Sequence, residues 1–305
     1  MSFFTVILQP FLLIALGLAL SRHRLFPRSM WDGIEKLVYY VLFPPLLFNS
    51  VAHASISVMQ TGMYLVCGVG SMTCAIGLAY LISKIAPADR RTDASIRQCG
   101  YRFNSYIGFA IVLALYGDIG LALFALLVGV WVPISNAVAV ADLAQAVQKE
   151  GSGISGVIGS ICKNPLIIAT VAGLAFNTLG LAMPDLVTGI FKSLGNASLA
   201  LALMAIGAGL RIEDFKAYRK LLALATLERL VLVPAVSLAA GLFLDLSAVK
   251  LGALLCFTAL PTANSCYILA VRMGGNGPAV ADLTTIQTAC SLVTIPLWMA
   301  LLQIL

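Results

Sequence analysis

Asn164-Pro165-Leu166-Ile167-Ile168-Ala169 restates Gln9-Pro10-Phe11-Leu12-Leu13-Ile14 at a distance of 155 residues. The register returns at Met183-Pro184, which follows Phe26-Pro27 by 157, and at Gly189-Ile190-Phe191-Lys192, which follows Gly33-Ile34-Glu35-Lys36 by 156. Tyr116-Gly117 against Met273-Gly274 holds the shift at 157. One offset kept through almost half of 305 residues is a duplication. In a hydrophobic chain, two such halves place a ligand site where the repeats meet.

Hydrophobic residues make up 60% of the chain and charged residues 10%, where soluble domains carry roughly 25% charged residues. Mean hydropathy is +0.99, and apolar runs of about 20 residues, each enough to cross a bilayer, recur from end to end. These features predict an all-α polytopic membrane protein whose surroundings are lipid. The net charge of +6 does not indicate nucleic acid, because the 19 Lys and Arg residues sit in short clusters between apolar runs, the pattern that orients spans. The seven cysteines, Cys67, Cys74, Cys99, Cys162, Cys256, Cys266 and Cys290, form no CxxC pair. They read as small buried side chains, with no metal and no cofactor implied. The first charges, Arg22 and Arg24, follow the first apolar stretch, so a retained first helix is expected rather than a cleaved signal.

Hydropathy with Gly, Pro and charge punctuation gives ten segments: 3–20, 33–52, 62–85, 95–115, 120–145, 158–178, 186–209, 219–244, 247–271 and 278–304. Arg22, Arg24 and Arg28 follow the first, Arg90 and Arg91 the third, and Lys149 the fifth. Arg211, Lys216, Arg219 and Lys220 follow the seventh, and Arg272 the ninth. The gaps at 53–61, 116–119 and 179–185 hold no Lys or Arg. Odd-numbered loops are therefore cytoplasmic and both termini extracytoplasmic, in an integral plasma (inner) membrane protein. Five helices per repeat is an odd number, so residues 158–305 form a second repeat inverted against residues 1–147. Residues 148–157, with Gly151, Gly153 and Gly156, form a cytoplasmic connector.

Segments four and nine are the crossover helices, and both are expected to be broken. Segment four carries Arg97 and Arg102, then Asn104-Ser105-Tyr106-Ile107-Gly108; segment nine reads Leu260-Pro261-Thr262-Ala263-Asn264-Ser265. At the repeat offset Asn104 falls on Pro261, so the polar interruptions share one depth. Pro261 removes a donor and pushes the preceding residue out of helical conformation, and unwound backbone in a bilayer is tolerated only against protein or a water-lined cavity. Two inverted breaks would aim half-helix N-termini, with their free N–H groups, at one point. An anion, particularly a carboxylate, is favoured there. A simple kink at Pro261, or helix-to-helix glue at Asn104, explains either residue but not their coincidence.

The half-length repeat, Arg102 and Asn104, the Leu-Pro-Thr-Ala-Asn stretch of segment nine, and Pro133 and Pro296 late in segments five and ten resemble the auxin efflux carrier family in its short bacterial form. The resemblance covers essentially the whole chain. It implies a ten-helix fold related to bile acid sodium symporters, with a mobile panel against a crossover core. It also implies secondary transport of small organic anions by an elevator or rocking motion: auxin in plants, mono- or dicarboxylates such as malate or malonate in bacteria. Carried over by motif are Asn104 and Pro261 with Thr262, Ala263 and Asn264; Ser105, Tyr106 and Gly108 complete the predicted substrate site. The chain lacks the long central loop of the plant members and has no acidic residue in segment three. A homodimer is compatible with this reading.

Ionisable groups inside spans are functional candidates until a structural role is found. Glu228 and Arg229 in segment eight form either a charge pair or two residues with different partners. Asp282 and Thr285, three residues apart on one helix face near the start of segment ten, are candidate coupling residues; a solvated helix start explains Asp282 equally. Asp142 is expected at the interface. Segment nine offers Thr262, Asn264 and Ser265 but no carboxylate, which favours a proton-coupled or potential-driven carrier over a sodium-coupled one. An anion channel through the same breaks is the other alternative. Enzyme chemistry is not expected. Gly153-Ile154-Ser155-Gly156 resembles a rhomboid-type serine motif, but it lies in the connector, and His23 and His53 belong at opposite faces.

Overall fold

The computed structural model describes residues 3–23, 26–53, 58–147, 164–213 and 216–305. The expected connector at 148–157, with the Gly153–Gly156 motif and Lys149, lies outside the described residues, as do Arg24, Cys162 and the opening of segment six. Among the described residues every regular element is helical: α1 Phe3–Ser21, α2 Arg28–Leu37, α3 Phe43–His53, α4 Val58–Ile85, α5 Arg90–Tyr101, α6 Ser105–Val147, α7 Pro165–Thr178, α8 Asp185–Gly209, α9 Arg219–Leu227, α10 Val233–Phe243, α11 Ala248–Ala259, α12 Ser265–Met273 and α13 Gly277–Ile304. Residues 61–85, 185–209, 219–243 and 277–304 are long and apolar enough to cross a membrane, as is the run 90–147, with shorter apolar helices at 7–21, 165–178 and 248–259. The 58 residues of the run 90–147 would measure about 87 Å as one straight helix, far more than one bilayer, so the breaks inside it matter.

Two π turns have one cause. Val38–Leu42 links α2 to α3, where the Phe43 N–H reaches back to the Val38 carbonyl, and Glu228–Leu232 links α9 to α10, where Val233 does the same to Glu228. Each ends two residues before a proline, Pro44 or Pro234. A proline cannot donate and its ring crowds the carbonyl four residues earlier; a widened turn relieves that clash without ending the helix. Segment two accordingly begins earlier than its apolar run, at Arg28.

Segments four and five, expected to be separated by a gap at 116–119, are two helices within the range given for α6, and they meet at Gly117, which departs from helical geometry with φ 61° and ψ −156°. A positive φ is open to glycine at little cost, so one residue redirects the chain where a loop was anticipated.

The chain forms two compact units, and each draws helices from both sides of its midpoint. The first comprises residues 1–61, 106–129 and 159–209. Its helices α1 and α8 touch backbone to backbone: a Cβ on Gly17 would lie 1.9 Å from the Met204 carbonyl oxygen, and one on Gly207 would lie 1.8 Å from that of Ile14. Close crossings at small residues are how apolar helices associate in lipid. Phe48 meets Phe176 and Phe191 edge-on at 5.4 and 5.7 Å, and Asn177 Nδ2 donates to the Ala52 carbonyl at 2.8 Å. Arg28 Nη1 donates to Ala208 at 2.9 Å, placing a cation on the carbonyl end of α8.

The second unit comprises residues 62–105, 130–158 and 210–305. One apolar cluster unites it, with Ile82 of α4, Ile96 and Cys99 of α5, Leu221 and Leu222 of α9, Cys266 and Ala270 of α12, and Val280 and Leu283 of α13. Arg97 of α5 grips Asp142 of α6 through two hydrogen bonds, 2.8 Å from Nε and 2.6 Å from Nη2, and its guanidinium lies 4.6 Å above the Tyr80 ring. Asp142 is buried. Its partner lies 45 residues earlier in the chain, and the pair is packed inside the unit.

Candidate functional site

Both predicted breaks are present, and both lie in the second unit. Helix α5 has 12 residues and ends at Tyr101, with Arg102 already extended at φ −102°, ψ 138°. Helix α11 also has 12 residues and ends at Ala259, followed by extended Leu260 at φ −69°, ψ 145°. Twelve residues rise about 18 Å, so each chain unwinds near the depth of a bilayer midplane, measured from the start of its own helix. The chain becomes helical again at Ser105 and at Ser265.

The two unwound stretches are tied together. The Asn104 backbone N–H donates to the Pro261 carbonyl at 2.8 Å. Asn104, Pro261 and Thr262 are buried, whereas Ser105, Ala263 and Asn264 are half-buried and Ser265 is exposed. Thr262 N–H donates to Gln287 Oε1 at 2.9 Å, and Gln287 Nε2 donates to the Ala225 carbonyl at 3.1 Å. Trp131 Nε1 takes the Tyr101 carbonyl at 2.8 Å. A carbonyl released by unwinding must find a donor in an apolar setting, and here Trp131 of α6 and Arg229 of the π turn before α10 supply them.

Arg229 is the charged one of these donors. It is fully buried; its Nε reaches the Leu260 carbonyl at 2.7 Å and its Nη2 the Phe257 carbonyl at 3.4 Å. Phe103 and Phe257 pack edge-on at 4.6 Å beside it. Glu228, its neighbour, is also buried, but the two side chains diverge: no ion pair within 4 Å joins them among the described residues. Glu228 Oε1 has no hydrogen-bond partner among those residues and stands where a Cβ on Gly100 would meet it at 2.4 Å.

At the start of α12, the Ala263 and Asn264 carbonyls accept from Cys266 and Tyr267, while the N–H groups of Ala263, Asn264 and Ser265 have no acceptor among the described residues. The helix thus presents free donors and the positive end of its dipole. Tyr106 and Gly108 belong to the first unit, where the Tyr106 ring meets Phe43 at 4.9 Å. Asp282 and Thr285 lie elsewhere on α13: Asp282 Oδ1 accepts from Glu213 N–H, and Thr285 Oγ1 accepts from Arg211 N–H at 3.0 Å. They fasten the chain that follows α8.

Gln98 and Gln287 were not singled out from sequence, and Arg102 only as part of a motif. The available signal was a polar residue in an apolar helix at a helical spacing from the break, as with Gln98 four residues before Arg102. Among the described residues no cluster of His, Cys, Asp or Glu has metal-binding geometry.

Apolar helices of bilayer length, with two 12-residue helices that unwind at polar points and are tied there main chain to main chain, define a polytopic membrane protein. The chain belongs to the membrane transport protein family, whose model matches residues 2–149 and 154–299; this is the auxin efflux carrier family to which Arg102, Asn104 and the Leu260–Asn264 stretch pointed. The uncharacterized transporter YfdV of Escherichia coli strain K12 is 26% identical over 315 residues, covering 98% of this chain and 97% of the relative. The protein of that name in Shigella flexneri aligns to the same extent. The chain is an integral, multi-pass transporter and not an enzyme.

Proposed function

We propose that the chain is a secondary transporter that carries a small organic anion, a mono- or dicarboxylate, across the inner membrane by alternating access. The observation that supports this most directly is the Asn104 to Pro261 strap, which brings two half-helix junctions together beside the free N–H groups of Ala263, Asn264 and Ser265. Donors without acceptors in an apolar setting favour an anion, and they do so without a metal. The substrate then touches Asn104, Ser105 and the backbone from Pro261 to Asn264. Ten crossings in two inverted five-helix repeats, with both termini outside, complete the reading. The shared 12-residue length of α5 and α11 and the positive φ of Gly117 and Gly274, 157 residues apart, are consistent with such a repeat.

Proton or potential coupling is preferred to sodium. The break carries no carboxylate of its own, and Glu228 is a buried carboxyl without an ion-pair partner among the described residues, the kind of group that loads and unloads a proton in carriers.

Purified protein in proteoliposomes, loaded with one carboxylate and challenged with a labelled one, tests the proposal. Saturable uptake accelerated by internal substrate is expected. Conductance without counterflow would identify a channel, and ligand-induced stabilisation without flux would identify a receptor.

A further inference from the structure

We propose that Arg102 is the charged group that receives the carboxylate of the transported anion. The inference rests on the organic-anion reading above and names the side chain that selects the substrate class.

The two guanidinium groups at the breaks are used differently. Arg229 is fully buried, and its contacts are to the Leu260 and Phe257 carbonyls and to Met72 Sδ at 3.6 Å. That is a cation holding the carbonyl end of α11. Arg102 stands directly after α5, and among the described residues its guanidinium donates to no main-chain carbonyl: Nη1 reaches Gln98 Oε1 at 2.7 Å and Nη2 reaches Ser265 Oγ at 3.1 Å. Gln98 is itself fixed, with Nε2 donating to the Cys266 carbonyl at 3.1 Å.

Both partners of Arg102 are neutral, and no carboxylate lies within 4 Å of it among the described residues. The nearby acids have other positions. Asp142 is held by Arg97, Asp282 accepts from Glu213 N–H, and Glu228 faces Gly100.

A cation far along a membrane-spanning run and without a counter-charge is costly. Packing does not explain it, since Arg102 is half-buried and ends beside exposed Ser265. A guanidinium has five N–H groups, and the two contacts leave three, in a plane held by Gln98 and Ser265. A planar two-oxygen anion fits such a fork. The unaccepted N–H groups of Ala263, Asn264 and Ser265 adjoin it through Ser265. A carboxylate on Arg102 therefore bridges the first unwound residue after α5 and the residue that starts α12.

The test measures KM for counterflow and ligand-induced shifts in melting temperature, with aliphatic mono- and dicarboxylates, the matching amides, inorganic phosphate and methanesulfonate as probes. Wild-type protein is expected to take carboxylates and reject amides. Arg102→Gln should raise KM for carboxylates roughly a hundredfold, the effect of removing one partner of a hydrogen-bonded charge pair, and should erase the preference over amides. Arg102→Lys keeps the charge without the fork and should fall between the two, so the inference stays testable if Arg102→Gln does not fold. Unchanged carboxylate KM in Arg102→Gln, or in Arg102→Lys where Arg102→Gln does not fold, overturns the role of Arg102 and leaves the carrier reading intact. Wild-type protein that neither binds nor moves any carboxylate overturns the carrier reading itself. Arg102-dependent binding of phosphate or methanesulfonate in preference to carboxylates overturns the substrate class.

Discussion

Arg229 Nε donates to the carbonyl of Leu260 at 2.7 Å, across 31 residues of sequence. The contact explains how α11 can end inside an apolar core. Unwinding at Pro261 leaves the last carbonyls of the helix without i+4 donors, and a buried guanidinium supplies directed hydrogen bonds and a charge of the favourable sign for a helix C-terminus. The break is thus a built feature with its own support.

Replacing Arg229 should therefore act on folding before it acts on substrate. Arg229→Met keeps much of the volume but strands the Leu260 carbonyl, and loss of a charge-assisted bond to a buried acceptor costs about 1.5–3 kcal/mol. A lower melting temperature in detergent, with carboxylate KM changed little in the protein that remains folded, is the expected result. A large KM change at unaltered melting temperature would assign Arg229 to the substrate instead.

Gly100 and Glu228 should show energetic coupling. A Cβ on Gly100 would stand 2.4 Å from Glu228 Oε1, so Gly100→Ala must displace a buried carboxyl. Glu228→Ala opens the space. In a double-mutant cycle read by melting temperature, Gly100→Ala should cost less in the Glu228→Ala background than in wild type, by about 0.5–3 kcal/mol. Additive effects would mean that the two do not meet.

The crossing of α1 and α8 gives a prediction independent of transport. Gly207→Leu would push a side chain into the Ile14 carbonyl, where even a Cβ would come to 1.8 Å. Backbone against backbone cannot yield as a flexible side chain can, so the helices must separate. The expected outcome is a variant that inserts but is recovered poorly or aggregated on size-exclusion chromatography. Wild-type yield and melting temperature would contradict the crossing.

Asp89 carries the pH dependence expected outside the spans. Partial burial opposes its ionisation, but the Thr92 hydroxyl and the Thr92 and Arg91 N–H groups outweigh that and hold the carboxyl below the usual carboxylate range. As the N-cap of α5 it should be worth about 1 kcal/mol over alanine. Because the folded form is the more acidic, this stabilisation is fully present above the ordinary carboxylate pKa and is lost as pH falls through the lower, folded value. Melting temperatures of wild type and Asp89→Ala should differ at neutral pH and converge in acid; a gap that persists in acid would contradict the cap.

The breaks were legible in the sequence because Pro261 and Asn104 are polar or donor-deficient residues inside apolar runs, and such residues have few other uses there. Their supports were not legible. Arg229, Gln98, Gln287 and Trp131 act on main-chain carbonyls or N–H groups far along the chain, and a backbone partner leaves no residue type to search for. The distance of Asp142 from its helix end is visible in the sequence, whereas its partner Arg97, 45 residues away, is not. The α1–α8 crossing was hidden for the opposite reason: with 26 glycines in the chain, no single one stands out until its neighbour is known. Gly117 did stand out through its pairing with Gly274, yet a four-residue gap reads as a loop although one residue at positive φ makes the same turn.

Asn104 separates backbone from side chain in one position. The strap to Pro261 uses the Asn104 N–H, which alanine keeps and proline lacks. Asn104→Ala should then leave the break tied and the melting temperature within a few degrees of wild type, while removing the side-chain amide proposed to contact the substrate. Flux should be abolished. Asn104→Pro removes the strap itself and leaves the Pro261 carbonyl without its donor, at about 1–3 kcal/mol for a buried acceptor, so it should lower the melting temperature as well as the flux. If Asn104→Ala transports at the wild-type rate, its side chain is not part of the site. If Asn104→Pro melts as wild type does, the two breaks are not held together through this bond.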